Sequence, residues 1–322
     1  MNGEIKKNVD MDDLKKKVIR AALAMSRQCW EQGILSYAMT GEEDEHSVLH
    51  VMVHDMVIRQ SADGRLCNLE DTPAVTDSAF CIPAVWAGRE NPNYEKAVKK
   101  NISFFLKDAE RSKDGILFHI RGTKEIWADS AAFLPWILIL TGHEKEGLRQ
   151  LYGIMECLKR ADGLYAHVYD AGSGRYPDPN AWGVGNGWIL TGILRCANAV
   201  SREKERLQLK DEFTSLLDCI LSFKTKNHLF HEVLNDEGTF EESEISLMVA
   251  YSIYAAVNLE WLDGIYVKQA DDIRSSIVTR VDEDGLIHGA SGSPSFSAPG
   301  TSTECQAHFL LMEQERMKIT HF

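Results

Sequence analysis

The chain has 322 residues, 44% hydrophobic and 26% charged, the composition of a water-soluble globular protein with a large core. Its formal net charge of −13 argues against nucleic acid or an anionic membrane as partner. No uncharged stretch reaches the ~18 residues of a membrane span.

The opening MNGEIKKNVDMDDLKKKVIRAALAM is charged and amphipathic and lacks the apolar centre and small-residue cleavage site of a signal peptide. A cytoplasmic location is expected, with 1–13 a flexible or loosely packed segment ahead of one catalytic domain spanning 1–322. Apolar residues then recur at three- and four-residue spacing, predicting helices over 14–40, 46–60, 77–88, 95–108, 129–142, 145–159, 186–200, 204–223, 244–260, 265–280 and 302–315. Convincing alternating strands are not predicted.

Between the helices a turn followed by a short apolar step recurs: DGRLCNL (63–69), DGILFHI (114–120), DGLYAHV (162–168), NHLFHEV (227–233) and DGLIHGA (284–290). The interval is about that of two helices and two connections, the signature of a repeat architecture. Six helical hairpins closed into an all-α (α/α)6 toroid fit this pattern best, with an open solenoid as runner-up. The apolar interior of GTSTECQAHFLLMEQER (300–316) favours closure, since an open end would need a polar cap.

Two stretches repeat each other: VTDSAFCIPAVWAG (75–88) and WADSAAFLPWILILTG (127–142). Asp77 and Asp129 each precede an apolar run, so one reading is a helix N-cap. Pro83 and Pro135, six residues on, would then free the carbonyls of Ala79 and Ala131 and bend the first turns. In a toroid the inner helices start at one mouth, and the other reading puts the two carboxylates there as an acid/base pair for sugar chemistry. Trp30, His167, Trp182, Asn186 and Trp188 are candidates for the same mouth, because sugars stack on aromatic faces and need polar partners for their hydroxyls. The seven cysteines are odd in number and scattered, without CxxC; they read as reduced core thiols. No metal-ligand set is apparent, and neither a metal nor a cofactor is expected.

WEQGIL (30–35), TDSAF (76–80), WADSAAFLP (127–135), GLYAHVYD (163–170), WGVGNGW (182–188), EESEISLMVAY (241–251) and GTSTECQAHF (300–309) together resemble the unsaturated glycuronyl hydrolases of glycoside hydrolase families 88 and 105. The resemblance runs from about Trp30 to Gln306 and implies an (α/α)6 barrel. It also implies an activity: removal of a 4,5-unsaturated uronic acid from the non-reducing end of a lyase-generated oligosaccharide, by hydration of the C4–C5 double bond. On this resemblance Asp129 is the general acid/base and Asp77 its assistant, with Trp30, His167, Trp182, Asn186 and Trp188 at the substrate.

Such chemistry predicts that Asp129 holds a proton near neutral pH, its pKa raised by Asp77 and apolar walls. The chain departs from the family at Val184, where many members carry an arginine, and at Thr76, where one branch has a histidine. Ser302 and Thr303, or inner-helix N-termini, are candidates to hold the substrate carboxylate, with His288 and Arg175 as further cations. A conventional inverting glycosidase on saturated oligosaccharides and a non-catalytic sugar-binding toroid are the alternative functions. The expected partner is a small oligosaccharide with a terminal unsaturated uronic acid.

Overall fold

A computed structural model describes residues 10–42, 45–67 and 73–319. Residues 1–9 and the end of the first repeat turn, 68–69, lie outside the described residues. Twelve α-helices appear among the described residues: α1 (Met11–Met25), α2 (Cys29–Met39), α3 (His46–Ile58), α4 (Ile82–Ala87), α5 (Pro92–Ser103), α6 (Leu134–Leu140), α7 (Glu144–Leu158), α8 (Gly183–Ala199), α9 (Glu203–Leu221), α10 (Ser243–Asn258), α11 (Val267–Val278) and α12 (Thr303–Met317). Two expectations change at the start. The single helix expected over 14–40 is two, broken after Met25, and residues 11–13 belong to α1 rather than to a loose segment.

That break completes six hairpins. The even-numbered helices pack on one another in sequence, α2 on α4, α4 on α6 and so on to α10 on α12, while each odd-numbered helix backs an even one. α12 packs on both α1 and α2, which closes the ring. The inner helices are buried on nearly all sides, as in α8 and α10, where nearly every residue is covered. Outer helix α7 is amphipathic, burying Leu148, Leu151, Ile154, Met155 and Leu158 along one stripe.

The repeated turns share one geometry. Gly64, Gly115, Gly163 and Gly285 all have positive φ, and in the fourth copy His228 takes the same conformation at φ 63°. Just after each turn a backbone N–H is taken up by a polar helix side chain: Leu66 by Asn101, Leu117 by Gln150, Tyr165 by Asn186, Phe230 by Ser246 and Ile287 by Gln306. This satisfies a buried donor that no ladder reaches.

Short strands, absent from the sequence expectation, join the hairpins at one end. β1 (Glu125–Trp127), β2 (Val168–Asp170) and β3 (Arg175–Asp178) form an antiparallel sheet, and β4 (Phe230–His231) pairs with β5 (Glu241–Glu242). At two to four residues each, they are too short to show alternation in sequence.

Candidate active site

The duplicated Asp-Ser-Ala stretches form 3-10 turns, Asp77–Phe80 and Ala128–Ala131, ahead of α4 and α6. Neither aspartate caps its helix: the N-cap positions of these turns are Thr76 and Trp127, without side-chain capping bonds. Pro83 and Pro135 sit in the first turns of α4 and α6, where a missing N–H costs nothing and φ is already helical. The expected bend is therefore absent. Each proline lies in the first turn of its helix, and the aspartate six residues earlier lies in the 3-10 turn before it.

Those carboxylates enter a cavity of about 500 Å³, within the range of small-molecule sites. Its wall draws on the start of every inner helix: Trp30 from α2, Asp77 before α4, Asp129 before α6, Trp182, Val184 and Trp188 around α8, Glu244 from α10 and Glu304 from α12. His119, Trp127, Ser291 and Phe296 complete much of the rest. Glu244 and Glu304 lie in the first turns of α10 and α12, and Asp77 and Asp129 in the 3-10 turns that lead into α4 and α6.

The β1–β2 pairing sets Asp129 against His167. Trp127 is registered with Val168, and the Ala128 N–H donates to the His167 carbonyl. His167 Nε2 then lies 3.4 Å from Asp129 Oδ2, and its Nδ1–H donates to Asp178 Oδ2 at 2.9 Å. Burial disfavours a charged imidazole, yet the two carboxylates outweigh it and push the pKa up to about 9. Burial likewise opposes ionisation of Asp129, but the contact with His167 and its positive charge, reinforced by His119, hold this carboxyl below its ordinary value.

The expected protonation of Asp129 is thus reversed in the free protein. Asp77 is the carboxyl that keeps a proton: burial, and then the Asp129 charge, raise it to about 7. Its Oδ2 is buried without a hydrogen-bond partner. His119, stacked on Trp127 with centroids 4.8 Å apart, is pushed down to about 4 by burial. Its Nδ1 lies 2.8 Å from the Thr76 hydroxyl.

Two carboxyls escaped the sequence reading. Glu244 is buried and raised to about 8 by burial, with the Asp129 charge adding to the effect; its Oε1 is orphaned. Glu304 accepts from Trp30 Nε1 at 2.6 Å, and its own pKa is raised by burial and then by Glu244. Both stand at the second position of an inner helix, and that shared register in EESEISL and TSTECQA was the available signal. Asp178, which orients His167, had no such signal.

Other expectations are corrected. Asn186 does not face the cavity; its amide bonds Tyr165 N, Tyr165 O and Trp182 O, as one of the five repeated turn clamps. Ser302 caps α12 and donates to Glu244 Oε2 at 3.0 Å, so it supports the wall from behind, and neither it nor Thr303 lines the cavity. His288 is paired with Asp282 at 2.7 Å, and Arg175 is exposed on β3. His167 borders an adjoining pocket with Asp129, Asp178 and Trp182.

A profile of Glycosyl Hydrolase Family 88 matches residues 11–319. The 24.9 kDa protein in the picA locus of Rhizobium radiobacter is 26% identical over 136 residues, a match covering 39% of this chain and 58% of that relative. The chain therefore spans less than two thirds of that curated relative's length. Among solved structures, a protein of Salmonella enterica serovar Paratyphi A described as a possible member of glycoside hydrolase family 105 superposes with a TM-score of 0.83 at 15% identity, covering 98% of this chain and 96% of the other. The unsaturated glucuronyl hydrolase of Bacillus sp. GL1, described as responsible for glycosaminoglycan degradation, gives 0.69 at 13% identity, covering 95% and 94%. At these identities the solved structures establish the α/α toroid as the shared fold.

Proposed function

Because this chain belongs to glycosyl hydrolase family 88, we propose that it is a glycoside hydrolase that removes a 4,5-unsaturated uronic acid from the non-reducing end of a lyase-generated oligosaccharide. The observation that carries this reading is the placement of Asp77 and Asp129 at two successive inner-helix starts in one aromatic-lined cavity. The name of the similar Bacillus enzyme agrees with it.

The C4–C5 double bond of such a sugar is a vinyl ether. Hydration delivers a proton to C4 and the oxygen of water to C5; the resulting hemiketal opens and expels the neighbouring sugar. Asp129 acts at the reacting carbons, and Asp77 stores the proton at rest. At pH 7 Asp77, at about 7, is protonated in about half of the molecules while Asp129 is ionised, and an arriving anion favours movement of that proton towards the substrate. After proton delivery the freed carboxylate takes a proton from the attacking water.

An acidic wall need not repel an anionic sugar. Glu244 at about 8 and Asp77 at about 7 are largely or partly neutral at pH 7, burial and Glu244 raise Glu304 above its ordinary value, and the Asp129 charge is balanced by His167. Neutral carboxyls donate hydrogen bonds to a carboxylate. They offer a means of holding the substrate where Val184 replaces the arginine.

The test is a panel of unsaturated disaccharides made by pectin and glycosaminoglycan lyases, followed by loss of the ultraviolet absorbance of the conjugated double bond. Turnover on at least one substrate is expected, with Asp129→Asn still binding it but not converting it. No turnover on any of them, or full activity in that variant, would overturn the reading.

A further inference from the structure

Behind the cavity, three cysteines from separate segments meet. Cys29 opens α2, Cys67 lies in the turn after α3 with φ 51°, and Cys81 joins the Asp77 turn to α4. Their Sγ atoms all lie within 4.8 Å of one another, and the residues are 6%, 3% and 0% exposed. All three are free and buried, as expected of core thiols, and their meeting in space is what positions scattered along the chain did not show. Among the described residues no other such group of potential ligands occurs, and Cys157, Cys196, Cys219 and Cys305 stand outside it.

We propose that Cys29, Cys67 and Cys81 form a binding site for one copper(I) ion held by three thiolates. An ion about 2.3 Å from each sulfur keeps the sulfurs roughly 4 Å apart, so small side-chain rotations close the observed triangle. The donor set is sulfur alone, which selects soft ions. Zinc completes a tetrahedron, usually with a fourth thiolate or an imidazole. Among the described residues the oxygens that accept from these thiols are neutral: Gln32 Oε1 from Cys67 Sγ at 3.0 Å, and the Leu66 carbonyl from Cys29 Sγ at 3.5 Å. A buried site whose donors among the described residues are three thiolates suits copper(I).

Binding breaks three S–H bonds, forms three Cu–S bonds and releases up to three protons, with no change of oxidation state. It ties together three segments, two of which carry Trp30 and Asp77 to the cavity wall. The site stands on its own residues and does not depend on the proposed glycosidase activity.

The reduced, metal-free full-length protein is titrated anaerobically with copper(I) against a competing copper(I) chelator. One ion per chain is expected, with a near-ultraviolet thiolate-to-copper band and a raised Tm. Cys67→Ser should weaken binding by more than about 100-fold, while Cys196→Ser leaves it unchanged. As a measurement independent of variant folding, copper(I) should protect Cys29, Cys67 and Cys81 of the wild type from alkylation, read by peptide mass spectrometry. Copper left wholly with the chelator, equal affinity in Cys67→Ser, protection on other cysteines, or occupancy by zinc(II) in preference to copper(I) would each overturn the proposal.

Discussion

Asp129 and Asp77 look alike in sequence and titrate in opposite directions because their neighbours differ. The charged His167 imidazole lies 3.4 Å from Asp129 Oδ2, whereas at Asp77 burial dominates and the Asp129 charge adds to it. Asp129→Asn should lower kcat by about 10²–10⁴-fold with little change in substrate binding, measured by steady-state kinetics and calorimetry. Activity should fall as pH rises through about 7, where Asp77 loses its proton, and Asp77→Asn should remove that limb of the profile along with much of the rate. His167 supplies a stability test. Its folded pKa of about 9 exceeds the ordinary 6.5, so its contribution is fully present below pH 6.5 and is lost as pH rises through 9. His167→Ala should therefore destabilise the fold by on the order of 3 kcal/mol at pH 6 and by far less at pH 10, read from urea melts. The residue types at the site were legible in the sequence. Their protonation was not, because it depends on His167 and Asp178, which the sheet brings to Asp129.

The helices themselves were readable, since both inner and outer elements carry apolar residues at helical spacing. What periodicity could not separate was a 3-10 turn from the α-helix after it, which is why Pro83 and Pro135 were expected inside helices rather than at their starts. Asn186 is a similar case: an amide in a glycine-rich, tryptophan-flanked segment resembles a substrate ligand until its three backbone bonds are seen. Asn186→Ala should cost on the order of 2–4 kcal/mol in denaturant unfolding while leaving KM near the wild-type value at low temperature. On the same helix, a Cβ at Gly192 would stand 2.1 Å from the Ala131 carbonyl. Gly192→Ala should push the Asp129 turn away from α8 and lower kcat as well as stability, since backbone cannot yield as a flexible side chain does.

The molecule works as a ring because each inner helix buries most of its surface against its neighbours on either side and the outer helices behind it. Closure rests on α12 meeting α1 and α2. Deleting residues 303–319 should abolish cooperative melting, followed by circular dichroism and size-exclusion chromatography, and should not leave a shortened toroid; the deletion would expose buried faces of α2 and α10 and remove Glu304 from the wall. By itself the sequence determined the helix periodicity, the repeat turns and hence the toroid, along with the two aspartates and three tryptophans that reach one mouth. These are local or repeating features, carried by spacing along the chain. Only the tertiary structure decided which carboxyl keeps its proton, that Glu244 and Glu304 join the wall, that Asn186 and Ser302 serve the scaffold, and that three distant cysteines meet, because each depends on burial and on partners tens to hundreds of residues away.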